Sequence, residues 1–258
     1  DQILLGIIES PSEVAIYAVS ITFINHFMSL SLAINSVFLP RITKLMNTGD
    51  YLVQLNQLYI KVSKFQTFIV GLAFSGFILI GEDFIVLWIG ESYTTVYVIT
   101  LILVSTFFLD LIQNLGSTIM QAQGKYKFRA YTLIICSVLN VLISIPIIKI
   151  YGSIGTAIVT AIFVLIGNVI ILNVYFHKVI KLNMKSYWRE IGRLLLVISL
   201  ITMSGYFSLR NIEVHNWFTL FVVVIIYSGL YSLGVFIFYL SKKDRGVIIN
   251  LIKNWFVK

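Results

Sequence analysis

The residues of this sequence that could do chemistry are polar and acidic side chains inside long apolar segments. Asp110 interrupts the apolar run 107–112, and other polar residues surround it at intervals of three and four. The members of this polar stripe are Thr106, Asp110, Gln113, Ser117 and Gln121, with Asn114 beside them. Residues three and four apart share one helix face, so the stripe must face a bundle interior or a water-filled cavity. An ionisable group at membrane depth costs roughly 2.5–3.5 kcal/mol, which predicts a proton or Na⁺ site or a contact to a polar headgroup or sugar.

Further candidates lie near the start of the chain. Asp1 precedes Glu9 by eight residues, about 12 Å along a helix, which predicts a position near the middle of a span. A looser polar stripe occupies the next segment and consists of Thr22, Asn25, His26, Ser29 and Asn35. The candidates for a substrate or ion pathway are therefore Asp110, Asp1, His26, Asn25, Gln113, Asn114, Ser117 and Gln121.

The alternative for each candidate is a hydrogen bond that only ties helices together, worth about 0.6 kcal/mol on average. That alternative is favoured for Asn140 and Asn168, which are isolated polar groups on two further segments. No Lys or Arg is expected at the depth of Asp110, so its counter-charge is expected from outside this chain.

Catalytic and metal-binding motifs are missing from the sequence. Three His and one Cys provide no metal-ligand cluster, and neither a phosphate-binding glycine loop nor a nucleophile elbow occurs. We therefore expect a protein that is not an enzyme and that uses no cofactor beyond a coupling H⁺ or Na⁺. A membrane-embedded glycosyltransferase or polymerase stays open as an alternative, since its catalytic loop could lie outside these residues.

The composition indicates a polytopic membrane protein. Mean hydropathy is +0.94 and 12% of residues are charged, against about a quarter in soluble domains. Segments of about 20 apolar residues span a bilayer as helices, whereas barrel strands would alternate polar and apolar residues. The expected all-α fold has seven spans, with residues 1–8 as the end of an eighth; the seven segments are 12–39, 65–82, 96–121, 129–151, 153–176, 191–209 and 217–240.

The distribution of positive charge orients these spans. Of the 19 Lys and Arg residues, all but Lys149 and Arg210 lie in or beside every second gap, and such gaps are cytoplasmic. The C-terminus is therefore expected in the cytoplasm, and the net charge of +8 indicates topology, not nucleic-acid binding. Apolar residues at helical spacing in 41–64 and in the tail 241–258 predict amphipathic helices on the inner membrane surface.

Several short motifs occur in a family-like order. They are residues 1–6 (DQILLG), 39–45 (LPRITKL), 87–93 (LWIGESY), 121–125 (QAQGK) and a helix pair across 140–160 joined at Gly152. In this order the chain resembles polysaccharide (O-antigen or teichuronic-type) flippases of the Wzx type, within the superfamily of multidrug, oligosaccharidyl-lipid and polysaccharide exporters. The resemblance covers roughly residues 1–178.

The resemblance implies a two-lobe transporter of which this chain is the C-terminal part. Residues 1–178 would form the second lobe, and residues 179–258 two additional helices and a cytoplasmic tail. The implied activity is translocation of an undecaprenyl-diphosphate-linked oligosaccharide across the cytoplasmic (inner) membrane for surface polysaccharide such as the O-antigen of lipopolysaccharide. Implied partners are the first lobe, membrane lipids and other polysaccharide-assembly proteins. A cation-coupled multidrug exporter and a purely structural membrane subunit are the remaining alternatives.

Overall fold

The structure of the chain, a computed structural model, describes residues 1–46, 49–209 and 214–239. Those residues are helical almost throughout and contain six helical stretches long and apolar enough to cross a membrane. The predicted all-α polytopic fold is confirmed. The predicted amphipathic tail 241–258, with its cytoplasmic C-terminus, and the charged residues Arg210 and Glu213 lie outside the described residues.

The helices are numbered in chain order. Their bounds are α1 Gln2–Ile8, α2 Pro11–Ser36, α3 Leu39–Leu45, α4 Tyr51–Ile89, α5 Thr94–Ile112, α6 Leu115–Ala122, α7 Lys127–Val164, α8 Leu172–Tyr175, α9 Met184–Leu209 and α10 Trp217–Phe238. A short 3₁₀ helix, Glu91–Tyr93, precedes α5, and π-helical turns at Leu165–Ile171 and Phe176–Ile180 flank α8.

The longest helical stretch, Lys127–Ile180, is an antiparallel hairpin. Its 54 residues would measure about 81 Å if straight, far more than a bilayer core of about 30 Å. At Gly152 the backbone leaves the helical region (φ 53°, ψ −140°), a conformation that glycine adopts without a Cβ clash. The two arms then run side by side, since the Asn140 amide lies 3.1 Å from the Thr160 hydroxyl. The first arm (127–151) and the second arm (153–180) correspond to two of the seven predicted spans.

One predicted span is not continuous. The segment 96–121 divides into α5, which ends at Ile112, and α6, which begins at Leu115. Between them the backbone tightens, as Gln113 N–H bonds Asp110 O at 3.2 Å and Gly116 N–H bonds Gln113 O at 2.9 Å. This break falls three residues after Asp110, within the predicted polar stripe.

The predicted surface helix at 41–64 is wrong. Residues from Tyr51 onward belong to α4, whose 39 residues extend about 58 Å and include the predicted span 65–82. A segment continuous with a spanning helix cannot lie in the membrane plane. Its apolar stripe covers protein instead, because Leu55, Leu58 and Tyr59 are buried in the main core.

The last two helices pack onto α4. Tyr187 and Ile191 of α9 belong to the main core, and the Lys64 ammonium of α4 lies 2.6 Å from the Glu190 carboxylate of α9. A second core joins α9 to α10 through residues Leu194, Ile198, Tyr227, Tyr231 and Val235. The division of the chain at residue 178 stays a prediction.

The hairpin tip is held by a carboxylate from the start of α2. Glu13 Oε2 accepts a hydrogen bond of 3.2 Å from the Ser153 N–H, the first amide after the turn. The first amides of a helix have no partner within it, and a negative charge there also meets the positive end of the helix dipole. Glu13 therefore acts as a cap supplied by another helix.

We expect Glu13→Ala to lower the free energy of unfolding by about 1 kcal/mol, as loss of a helix cap does. The measurement is thermal unfolding of the purified protein in detergent micelles. Glu91→Ala is the control, since Glu91 is an exposed acidic residue in the gap after α4. Equal midpoints for the two variants would show that the cap contributes nothing.

Candidate functional site

Two backbone carbonyls at the break between α5 and α6 accept hydrogen bonds from other helices, and one of them, Leu111 O, also accepts from the Asn114 N–H at 3.3 Å. The Ser31 hydroxyl of α2 donates to Leu111 O at 3.1 Å, and the Tyr187 hydroxyl of α9 donates to Ile112 O at 3.1 Å. Inside a membrane no water replaces a lost helical bond, so these side chains stabilise the break. Ser31 and Tyr187 are fully buried.

The two residues at the break anchor it on opposite sides. Gln113 donates to the Asn168 backbone oxygen at 2.7 Å and accepts from the Asn173 amide at 2.6 Å, both on the second arm of the hairpin. Asn114 donates to the Ser31 hydroxyl at 3.4 Å, which also accepts from the buried Gln66 amide of α4. The break thus connects the hairpin to α2 and α4.

Asp110 has both a hydrogen-bond partner and a counter-charge within this chain. Its Oδ2 accepts a bond of 3.0 Å from the Asn168 amide and lies 3.9 Å from Arg129 Nη2. The expectation that no basic residue reaches Asp110 is wrong. Arg129 starts near the predicted cytoplasmic end of the first arm, but its long side chain extends back along the span and is only 11% exposed.

The hydrogen-bonding capacity of Arg129 is incompletely used. Its Nε and Nη1 are buried and have no hydrogen-bond partner among the described residues. A buried cation with few bonds is stable only beside a compensating charge. Asp110 supplies that charge, so the pair is mutually dependent.

Asn168 lies at the centre of the first π-helical turn, Leu165–Ile171. Its side chain binds Asp110 while its carbonyl binds Gln113. The sequence suggested only an isolated packing residue here, because no pattern in one sequence reveals which arm faces which helix. π-Helical turns are rare and occur mostly at functional positions.

Asp1 is the centre of a second polar cluster. Its Oδ2 accepts hydrogen bonds from the Tyr17 hydroxyl at 3.0 Å and from the Thr160 hydroxyl at 2.8 Å. Thr160 in turn accepts from the Asn140 amide, whose oxygen lies 3.5 Å from the Ser144 hydroxyl. Sequence analysis singled out Asp1 but missed Tyr17 and Thr160. Their hydroxyls are unremarkable in sequence and become informative only once the helices are packed.

The Asp1 cluster differs electrostatically from the Asp110 pair. Within residues 1–46, 49–209 and 214–239, no Lys or Arg forms a salt bridge with Asp1. The same part of the chain holds no group of three His, Cys, Asp or Glu side chains suited to a metal ion. Carboxylate and hydroxyl oxygens around Asp1 are nevertheless the hard donors that a small cation prefers.

Four of the five residues of the second predicted stripe face outward, while the fifth, Asn35, is buried and donates to the Ser31 hydroxyl. Asn25 and His26 are exposed on α2, as are Thr22 and Ser29, so the structure does not bring them to Asp110. Of the remaining candidates, Ser117 is buried in α6 and Gln121 is exposed near its end. Gln113 and Asn114 are the predicted residues that join the network around Asp110.

An apolar groove of 520 Å³ runs beside that stripe. Phe23, Phe27 and Leu30 of α2 form one wall, α4 forms the floor and α10 the other wall. At about 100° per residue, His26 lies beside these three positions, whereas Asn25 lies on the opposite side of α2, roughly 140–160° away from them. α2 therefore has an apolar face that lines the groove and a different, polar face that is exposed.

The fold and these clusters define a multi-pass, all-α membrane protein with buried polar networks and no catalytic constellation among the described residues. A probable flippase, AglR, of Haloferax volcanii is 27% identical to this chain over 173 residues, which cover 66% of the chain and 36% of that protein. The chain thus spans about a third of the relative's length. This similarity supports a flippase-type membrane protein and favours a transporter over an enzyme. No protein-family model matches the chain, and no solved structure matches it significantly.

We expect the Asp110 and Arg129 substitutions to be strongly non-additive. Asp110→Leu or Arg129→Leu alone leaves a buried charge uncompensated and should lower the free energy of unfolding by about 3 kcal/mol. The double variant should be more stable than either single variant, because no buried charge remains. Chemical unfolding in detergent measures the cycle, and strictly additive losses would show that the two side chains do not interact.

Proposed function

We propose that this chain is part of a flippase that moves a lipid-linked oligosaccharide across the cytoplasmic membrane for surface polysaccharide synthesis. The observation that carries the proposal is the double character of α2. Its exposed polar face carries Asn25 and His26, and another face forms a wall of the apolar groove. A substrate with a sugar head and a hydrocarbon tail has matching parts.

The polar face accounts for the sugar. Side chains such as Asn25 and His26 are costly against hydrocarbon, so they border either water or another protein surface. In the proposal a second lobe faces this side of α2 and encloses a wet path with it. Hydroxyl groups of an oligosaccharide then exchange hydrogen bonds with water and with these side chains as the substrate crosses.

The groove accounts for the lipid. Its walls are aromatic and aliphatic, so burying prenyl carbons there would gain about 0.8 kcal/mol per CH₂ if they came from water, and almost nothing from lipid. The groove therefore orients the tail more than it binds it. This fits an undecaprenyl-diphosphate carrier whose tail stays outside the polar path.

A coupling ion, H⁺ or Na⁺, is assigned in this proposal to Asp1. Asp110 has its charge compensated by Arg129, whereas the neighbours of the Asp1 carboxylate are the neutral hydroxyls of Tyr17 and Thr160. A cation bound at Asp1 balances the negative charge of this carboxylate, which the neutral hydroxyls leave uncompensated. Asp110 has a structural role in this proposal. Its carboxylate pairs with Arg129, and its backbone oxygen accepts the Gln113 N–H at the helix break.

A multidrug-type cation-coupled exporter is the second candidate. Phe23, Phe27, Phe77 and Phe84 line the groove, and aromatic walls suit apolar drugs. The polar face of α2 has no role in that alternative. A membrane glycosyltransferase or polymerase is disfavoured by the similarity to a probable flippase.

Filling the groove and removing the polar face test the amphiphile proposal separately. In the full chain, Gly76→Phe should reduce lipid-linked oligosaccharide translocation by about tenfold, equal to 1.4 kcal/mol. Asn25→Leu together with His26→Leu should reduce it by a similar factor, since two polar contacts are lost. The measurement is appearance of the glycan on the trans side of proteoliposomes.

Ile135→Phe is the control, since Ile135 is exposed on the first arm and remote from the groove. In the multidrug alternative Gly76→Phe abolishes efflux of apolar cations, while the Asn25 and His26 changes leave it intact. Unchanged glycan translocation in both test variants would refute the flippase proposal.

Asp1→Asn tests the ion assignment. Translocation by this variant should no longer respond to an imposed Na⁺ or proton gradient, since Asn provides no charge to be balanced. Glu91→Gln, an exposed acidic position, should keep the wild-type response. A full response in Asp1→Asn would exclude Asp1 as the coupling site and leave the translocation tests unaffected.

A further inference from the structure

The second arm of the hairpin contacts two carboxylates, the half-buried Asp1 and the buried Asp110. Thr160 binds Asp1, and Asn168 binds Asp110. Their separation of eight positions along the sequence corresponds to about 12 Å of helix. The π-helical turn Leu165–Ile171 begins after the first contact and contains the second.

We infer that this turn is a register switch through which the charge state of Asp1 controls the interaction between Asp110 and the break in α5–α6. The inference rests on the proposed cation site at Asp1. A π-helical turn holds one residue more than an α-helical turn. Its conversion to α-helix shifts the chain beyond it by about 1.5 Å and rotates it by about 100°.

Such a shift acts on contacts that the structure places directly on the turn. The Asn168 amide leaves Asp110, and the Asn168 carbonyl leaves Gln113. Asn173 lies beyond the turn. Its amide nitrogen donates to the side-chain oxygen of Gln113, and its amide oxygen accepts from the Trp188 indole N–H. One register change therefore releases the hairpin side of the break together with the hairpin's own bond to Trp188 of α9.

The surroundings of the turn define its two sides. Towards the first arm, a Cβ on Gly167 would lie 2.8 Å from Cys136 Sγ, so the Cys136 thiol packs directly against the turn. Away from the bundle, Ile166 and Ile170 are exposed, whereas Leu172, Phe176 and Ile180 beyond the turn lie in the main core and must repack when the register changes. The link to Asp1 is the Thr160 hydroxyl, which is rigidly connected to the turn through one helical arm.

Cys136 reports on the turn. It is the single Cys of this sequence and is partly exposed, so its alkylation rate depends on how the turn covers it. With Cys136 as the reactive thiol, the rate of maleimide modification is measured at fixed pH in the full chain. The variants are Asp1→Asn, Asn168→Ala and their combination, with translocation assayed in the same vesicles.

Neutralising Asp1 should change the rate at least about fivefold, the lower end of coupling between distant sites. The effect should vanish in the Asn168→Ala background, where the turn has no partner to release. Thr160→Val, which breaks the link but keeps the carboxylate, should reproduce the Asp1→Asn rate if Asp1→Asn folds poorly. Thr132→Val is the matched control: its hydroxyl bonds only its own helix at Phe128 O beside the same turn.

An unchanged rate in both Asp1→Asn and Thr160→Val, or an equal change with and without Asn168, would overturn the switch. Failure of the ion assignment has a different signature. In that case Asp1→Asn keeps its response to the ion gradient in the translocation assay, whatever the thiol rate. The two results are therefore distinguishable in one set of vesicles.

Discussion

Lipid offers no hydrogen-bond partners, and that constraint determines how this fold tolerates an interrupted helix. Where α5 ends at Ile112 the regular helical hydrogen bonds are interrupted, and the carbonyls of Leu111 and Ile112 accept hydrogen bonds from other parts of the protein. Ser31 and Tyr187 supply them, and Gln113 and Asn114 fasten the break to its neighbours. As a result α2, α4, the hairpin and α9 all meet at one point, and their packing follows from the need to satisfy it.

α2 illustrates how a single span can have three different surroundings. Its buried face includes Ser31 and Ile24, a second face borders the apolar groove, and a third exposes Asn25 and His26. A helix that only anchored the bundle would need one polar-free outer face. The outer surface of α2 instead carries Asn25 and His26, whose polar side chains are costly to place against lipid.

The sequence predicted the class of fold and most spans, because hydropathy and helix length are local properties. It also predicted Asp110, Gln113 and Asn114 as a group, since their spacing places them together on one helix. It could not predict the partners. Arg129, Asn168, Tyr17 and Thr160 come from distant segments, and their contacts depend on helix rotation and depth. The break itself was missed because Gln113 and Asn114 are compatible with a continuous helix until tertiary contacts compete for the backbone.

The length of α4 has a mechanical consequence. Its 39 residues form one rod about 58 Å long, roughly twice the thickness of the hydrocarbon core. A tilt of about 10° about one end displaces the other by about 10 Å over that length. Small rotations within the membrane are therefore magnified at the far end of α4, where the Asn56 side chain contacts the backbone at Lys181 and Asn183.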